Sequence, residues 1–168
     1  LFFFNPEESV KVLSNQYINY RSISSPFFLI IMAGSGWFLG KREVSVYGTE
    51  TLKSLEKKLN SYIKNKNAKL TFYQSNIEGE IINVIQKNLE KQDFIIINAG
   101  GYSHTSIAIS DCLRLFQGLI YEVHISNIYS REKFRRYSYL SDISSVVICG
   151  LGFLGYEMAL DLAITNHK

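Results

Sequence analysis

Cysteine, proline and tryptophan are nearly missing from this chain: its 168 residues include two cysteines, two prolines and one tryptophan. The cysteines, Cys112 and Cys149, lie 37 positions apart with no CxxC or Cys/His spacing. That spacing does not indicate a disulfide framework and offers no zinc-ligand pattern. Both sit in apolar company, which predicts buried thiols. Long apolar runs are also lacking. The longest, Phe27 to Ala33, is strand-sized and far short of a bilayer span, so no membrane association is expected. The N-terminus opens Leu-Phe-Phe-Phe with no basic n-region and soon carries Glu7, Glu8 and Lys11, a poor match to a signal peptide. The expected location is cytoplasmic. A strong charge of one sign is missing too: the formal net charge is only +3. No extended basic stripe offers itself to nucleic acid. The one dense basic stretch, Arg131, Lys133, Arg135 and Arg136, suits either a solvated face or a small anionic ligand.

What is present reads as an ordinary globular domain, with 46% apolar and 20% charged residues. Residues 1–26 are Asn- and Ser-rich and lack periodicity, so they read as an extension, and 27–168 as the domain. Short apolar, β-rich runs at 27–32, 70–74, 94–98, 119–125 and 146–149 alternate with helical patterns. Leu52, Leu55, Leu59, Tyr62 and Ile63 share one helical face, and Ile81, Ile82, Ile85 and Leu89 another. A third helix is expected from about Ser106 to Phe116 and a fourth from near Tyr156. Continuous rather than alternating strands predict burial on both sheet faces. Five strands alternating with helices predict an α/β fold: a flavodoxin-like, doubly wound, five-stranded parallel sheet. Ser75 and Glu78 have capping-box spacing, which assigns Glu78 a structural role.

Polar residues collect after the strands: Ser35, Asn76, Asn98, then His124 and Ser126. Ligands of such sheets bind outside the carboxyl ends of the strands. Asn98, His104, Glu122, His124 and Ser126 are therefore expected around one crevice. Gly150-Leu-Gly152-Phe-Leu-Gly155 matches the dinucleotide fingerprint formally, but only 13 residues follow Gly155 in this sequence. A second strand with its acidic residue does not fit there. A tight turn and close helix packing are the expected uses of these glycines. Glu122 and His124, two apart in a strand, share a face, so the carboxylate can orient the imidazole for proton donation. Gly40-Lys-Arg42-Glu-Val-Ser-Val-Tyr47-Gly48 is a glycine-bracketed loop. A cation beside a phenol favours phenolate, which makes Tyr47 a candidate base, Arg42 its electrostatic partner and the loop a candidate lid.

Taken together, Lys41-Arg42-Glu43 with Tyr47-Gly48, Gln74-Ser-Asn-Ile-Glu78-Gly-Glu80, Asn98-Ala-Gly-Gly-Tyr-Ser-His104-Thr-Ser106, Glu122-Val-His-Ile-Ser-Asn127, Arg131-Glu-Lys-Phe-Arg135-Arg136 with Ser138-Tyr-Leu-Ser141, and Gly150-Leu-Gly152 with Gly155-Tyr156 resemble the type II dehydroquinases. The blocks run in the right order across about residues 28–165. The resemblance implies a flavodoxin-like subunit assembled as trimers within a dodecamer, and a lyase of the shikimate pathway of aromatic amino acid biosynthesis. Its substrate would be 3-dehydroquinate, dehydrated to 3-dehydroshikimate. Tyr47 matches the base that takes a proton from C2, and Arg42 the lid arginine that keeps it ionised. His124 matches the acid that protonates the leaving hydroxyl, oriented by Glu122. Asn98, His104, Ile125, Ser126 and Arg135 match substrate-binding positions, Arg131 a second arginine acting on the tyrosine, and Asp111 an acidic residue reaching across the trimer interface. Such a reaction needs one base, one acid and enolate stabilisation, with no metal or organic cofactor.

The first loop departs from the family pattern. It reads Ala33-Gly34-Ser35-Gly36-Trp37-Phe38, with Ser35 where the family has an asparagine that holds a water, and Val44 replaces a lid proline. The altered loop raises a catalytically impaired binding or assembly module as the alternative. A flavin- or nucleotide-binding reading lacks a phosphate-cradling loop after the first strand.

Overall fold

A computed structural model describes residues 26–33 and 51–166 of the chain. The expected N-terminal extension therefore lies outside the described residues except for Pro26, and so does the Arg42–Tyr47 loop. Strands β1 (Phe27–Ala33), β2 (Lys69–Ser75), β3 (Phe94–Asn98), β4 (Leu119–His124) and β5 (Val146–Cys149) form one parallel sheet in the order β2-β1-β3-β4-β5. That is the flavodoxin-like order, with its switch point between β1 and β3. Helices α1 (Leu52–Ile63) and α4 (Leu154–Asn166) cover one face, and α2 (Glu78–Asn88) and α3 (Ile107–Leu113) the other.

The strand period of two divides β1 between the layers. Phe28, Ile30 and Met32 meet Leu55, Leu59, Tyr156 and Leu160. Leu29, Ile31 and Ala33 meet Ile81, Ile85, Ile109 and Leu113. Each fully buried Leu or Ile contributes about 1.5–3 kcal/mol relative to leaving it exposed. Double-faced burial holds for the three central strands. The edge strands β2 and β5 are mostly half-buried or exposed, because each has a neighbour on one side only. For the same reason Cys149, expected to be buried, is only half-buried at the end of β5, while Cys112 is buried on the inner side of α3.

Two local expectations change. The Ser75–Glu78 capping box does not form: β2 runs through Ser75 and the helix starts after Ile77, which offers no side-chain cap. Ser75 Oγ instead accepts from the Ile77 amide at 2.9 Å and donates to Glu80 at 2.5 Å. A reciprocal box does cap α1, where Thr51 and Ser54 exchange side-chain and backbone bonds. Around the fingerprint-like glycines, Gly150 and Gly152 sit at φ +80 and +58, where a Cβ is strained. Gly155 packs close enough that a Cβ would meet Ile148 and Val123 at 3.3 Å. These are the tight turn and close packing that the sequence predicts.

Candidate active site

Along β4, Tyr121 and Val123 enter one apolar layer, while Ile120 enters the other. Glu122 and His124 share the face of Ile120. Glu122 is fully buried and His124 is 5% exposed. An uncompensated buried carboxylate costs several kcal/mol, so its partners decide whether it exists as an ion. Three groups donate to it. His124 Nε2 lies 2.8 Å from Oε1, Ser138 Oγ donates to Oε1 at 2.5 Å, and Ser141 Oγ donates to Oε2 at 2.5 Å. Burial pushes the carboxyl upward, but the His124 bond and charge and the two serine bonds outweigh it, holding Glu122 below the usual range. A carboxylate only accepts, so Nε2 carries the imidazole proton and the other ring nitrogen is turned away from Glu122.

His104 ends the 3₁₀ turn Gly100–His104 that follows β3. Its Nδ1 lies 2.6 Å from the Tyr137 carbonyl, which only accepts, so Nδ1 is the protonated nitrogen. Its ring stacks on that of His124, with centroids 6.2 Å apart and planes inclined by 13°. Burial lowers the His104 pKa; the Tyr137 bond opposes this, and nearby His124 and Arg135 add to it. At the end of β3, Asn98 Oδ1 accepts from the Gly100 amide at 3.1 Å, and its Nδ2 donates to the Tyr156 hydroxyl at 2.9 Å. Burial raises the Tyr156 phenol far above its ordinary value, so it stays neutral and is no candidate base.

Asn98, His104, Glu122 and His124 thus gather at the carboxyl ends of β3 and β4, as expected. Ile125, buried, and Ser126, half-buried, follow His124 directly. The glycine turn steadies this segment: the Gly150 amide donates to the His124 carbonyl at 3.1 Å and the Gly152 amide to the Ile125 carbonyl at 3.0 Å. Arg131 and Arg135 both approach Glu132 Oε2, at 3.5 and 3.1 Å. Asp111 is exposed on α3. Arg42 and Tyr47 lie outside the described residues. Three contributors carried no role in the sequence reading: Ser138, Ser141 and Tyr156. Their only signal was the company of the arginine and glycine blocks. Among the described residues, no group of three or more His, Cys, Asp or Glu is placed to hold a metal ion.

Strand order and strand-end chemistry together define a flavodoxin-like α/β protein with a buried acid–base pair. Comparison with known proteins narrows this further. A family model described as dehydroquinase class II matches residues 28–164. A 3-dehydroquinate dehydratase of Polynucleobacter necessarius is 49% identical over 141 residues, covering 83% of this chain and 95% of the relative. One from Prochlorococcus marinus is 47% identical, covering 77% and 90%. Among solved structures, the type II dehydroquinase of Butyrivibrio crossotus superposes with a TM-score of 0.81 at 40% identity, covering 83% of this chain and 97% of that one. The chain belongs to the class II dehydroquinase family.

Proposed function

We propose that the protein dehydrates 3-dehydroquinate to 3-dehydroshikimate by trans elimination through an enolate, as a lyase of the shikimate pathway. Tyr47 takes the C2 proton with Arg42 and Arg131 keeping its phenolate charge matched. His124 delivers a proton to the departing hydroxyl. Asn98, His104, Ile125, Ser126 and Arg135 hold the substrate. The observation that carries this reading is the buried Glu122–His124 pair at the end of β4, since a structural histidine does not need a fully buried carboxylate fixed by two serines.

The chemistry fits the side chains. The proton α to a ketone is acidic enough for a phenolate, and a β-hydroxyl leaves as water once an acid protonates it. The Ser35 loop, where the family asparagine is replaced, supplies a weaker water-holding group and a slower enzyme. For assembly, the reading is a trimer-based dodecamer in the cytoplasm, with Asp111 reaching a neighbouring site. Exposed Leu154, Met158 and Leu162 along α4 support burial against other copies. Sedimentation at micromolar concentration should give a trimer or a multiple of it, and a monomer would reject that part. The direct test of function adds 3-dehydroquinate and follows the conjugated enone of the product in the ultraviolet. No enone at high enzyme concentration would favour a binding or assembly module instead.

A further inference from the structure

We infer that Ser138 and Ser141 are positioning residues: they hold Glu122 as a carboxylate so that His124, not the glutamate, carries the proton to be delivered. This deepens the reading above and rests on it. The Leu140 amide settles the direction of the Ser138 bond. Ser138 Oγ accepts from the Leu140 amide at 3.1 Å, which leaves its own proton for Glu122 Oε1. Ser141 Oγ supplies the donor to Oε2.

Both hydroxyls are held in place by the chain around them. Leu140, between them, is fully buried in the α2/α3 layer. The Tyr139 amide donates to the Ser103 carbonyl at 2.9 Å, and its carbonyl accepts from Ser110 Oγ at 3.0 Å. The Tyr137 carbonyl is the His104 partner. The charged and titratable groups acting on this pair are few among the described residues. Glu122 meets His124 on its own strand, and its charge also reaches His104 beyond β3 and the Cys149 thiol on β5. Arg135 acts on His104. Among the described residues no lysine or arginine pairs with Glu122, and the hydroxyl donors do the work a cation would otherwise do.

The consequence is a matter of where two protons rest. With both serines, the pair holds them as carboxylate and imidazolium, and imidazolium is a good acid at neutral pH. Without the serines, desolvation favours a neutral carboxyl. The same two protons then sit one on Glu122 and one on a neutral imidazole, which is a poor acid. Only the proton's location changes, and no other reactant is involved.

The test compares Ser138→Ala, Ser141→Ala and the double variant with Ser138→Thr and Ser141→Thr, which keep a hydroxyl. Readouts are kcat and KM across pH, and nitrogen chemical shifts of the His124 ring. We expect each Ala variant to lose ~10–100-fold in kcat with KM nearly unchanged, as for other partners that orient a catalytic ligand. The alkaline limb of the kcat profile should move to lower pH, and the ring proton should leave Nε2. The Thr variants should recover both. Should an Ala variant fail to fold, Ser→Cys replaces the hydroxyl by a weaker donor of similar size and should show the same trends more mildly. Unchanged kcat and limb would overturn the inference, as would a lost kcat with an unmoved limb and no recovery in Thr. If the parental chain does not turn over 3-dehydroquinate, the functional reading fails alone. The nitrogen shifts still decide whether the serines set the protonation of the pair.

Discussion

Replacing Glu122 by glutamine keeps the shape of the site and removes its charge, so it separates geometry from electrostatics. The amide oxygen can take the place of Oε1, where it accepts from His124 and Ser138. The amide nitrogen then faces Ser141, whose hydroxyl can rotate to accept. All three contacts survive, but each drops from charge-assisted to neutral, about 1 kcal/mol apiece. Part of the resulting ~3 kcal/mol is offset because no ion remains buried. The expected loss of stability is therefore only about 1–2 kcal/mol. Glu122→Ala differs: it orphans three donors beside a new cavity and should cost roughly 3–5 kcal/mol. Turnover responds the other way round in proportion. The glutamine still touches the ring but no longer supplies the charge that positions it for proton donation, so Glu122→Gln should lose ~10–100-fold in kcat despite its mild destabilisation. Urea unfolding and steady-state kinetics across pH measure the two quantities on the same proteins. A glutamine variant within twofold of the parental kcat at every pH would refute the role given to this carboxylate.

Tyr47→Phe should abolish turnover while 3-dehydroquinate still binds by calorimetry, since only the phenolic oxygen is lost; near-parental turnover would remove Tyr47 as the base. Tyr156→Phe deprives Asn98 of its acceptor and should cost ~1 kcal/mol with a larger effect on KM than on kcat, and unchanged urea midpoint and KM would contradict this. Acid should weaken the fold in two steps. His104 is lowered, so its contribution is complete above the ordinary histidine value and is lost as pH falls through that value toward the folded one. Glu122 is lowered as well, so its share is complete above the ordinary glutamate value and is lost as pH falls through its folded value. Urea midpoints taken stepwise from pH 7 to pH 3 should show both declines, and His104→Gln should erase the first.

The sheet was legible because burial writes itself into continuous apolar runs. β3 and β5 begin and end where the sequence suggests, and β4 differs by one residue. Edge burial was less legible, since a strand's position in the sheet is set by distant pairing partners. The Glu122–His124 face followed from the period of a strand alone. Ser138 and Ser141 did not, because they come from an irregular segment 16 and 19 residues further on, with no periodicity to aim them. The capping residues misled for a related reason. Ser75-x-x-Glu78 has the right spacing, but the strand extends into it, and pairing with Ala33 claims Ser75 before the helix can. Tyr156 stood behind a glycine pattern that suggested nucleotides, although its hydroxyl serves Asn98.

The location of the pair explains why one irregular segment carries so much of the site. Ile120, Glu122 and His124 face a layer otherwise filled mainly by Leu, Ile and Ala side chains, and Glu122 is fully buried there. A stable ion there requires donors brought from elsewhere in the chain. Residues 137–141 bring them, and Leu140 places them by filling the same layer. The same stretch fixes His104 through the Tyr137 carbonyl. Packing of a single leucine is therefore tied to the orientation of both histidines and to the carboxylate beside His124. The sheet arranges the residues at the ends of β3 and β4, and this irregular segment supplies the hydroxyls that hold the carboxylate among them.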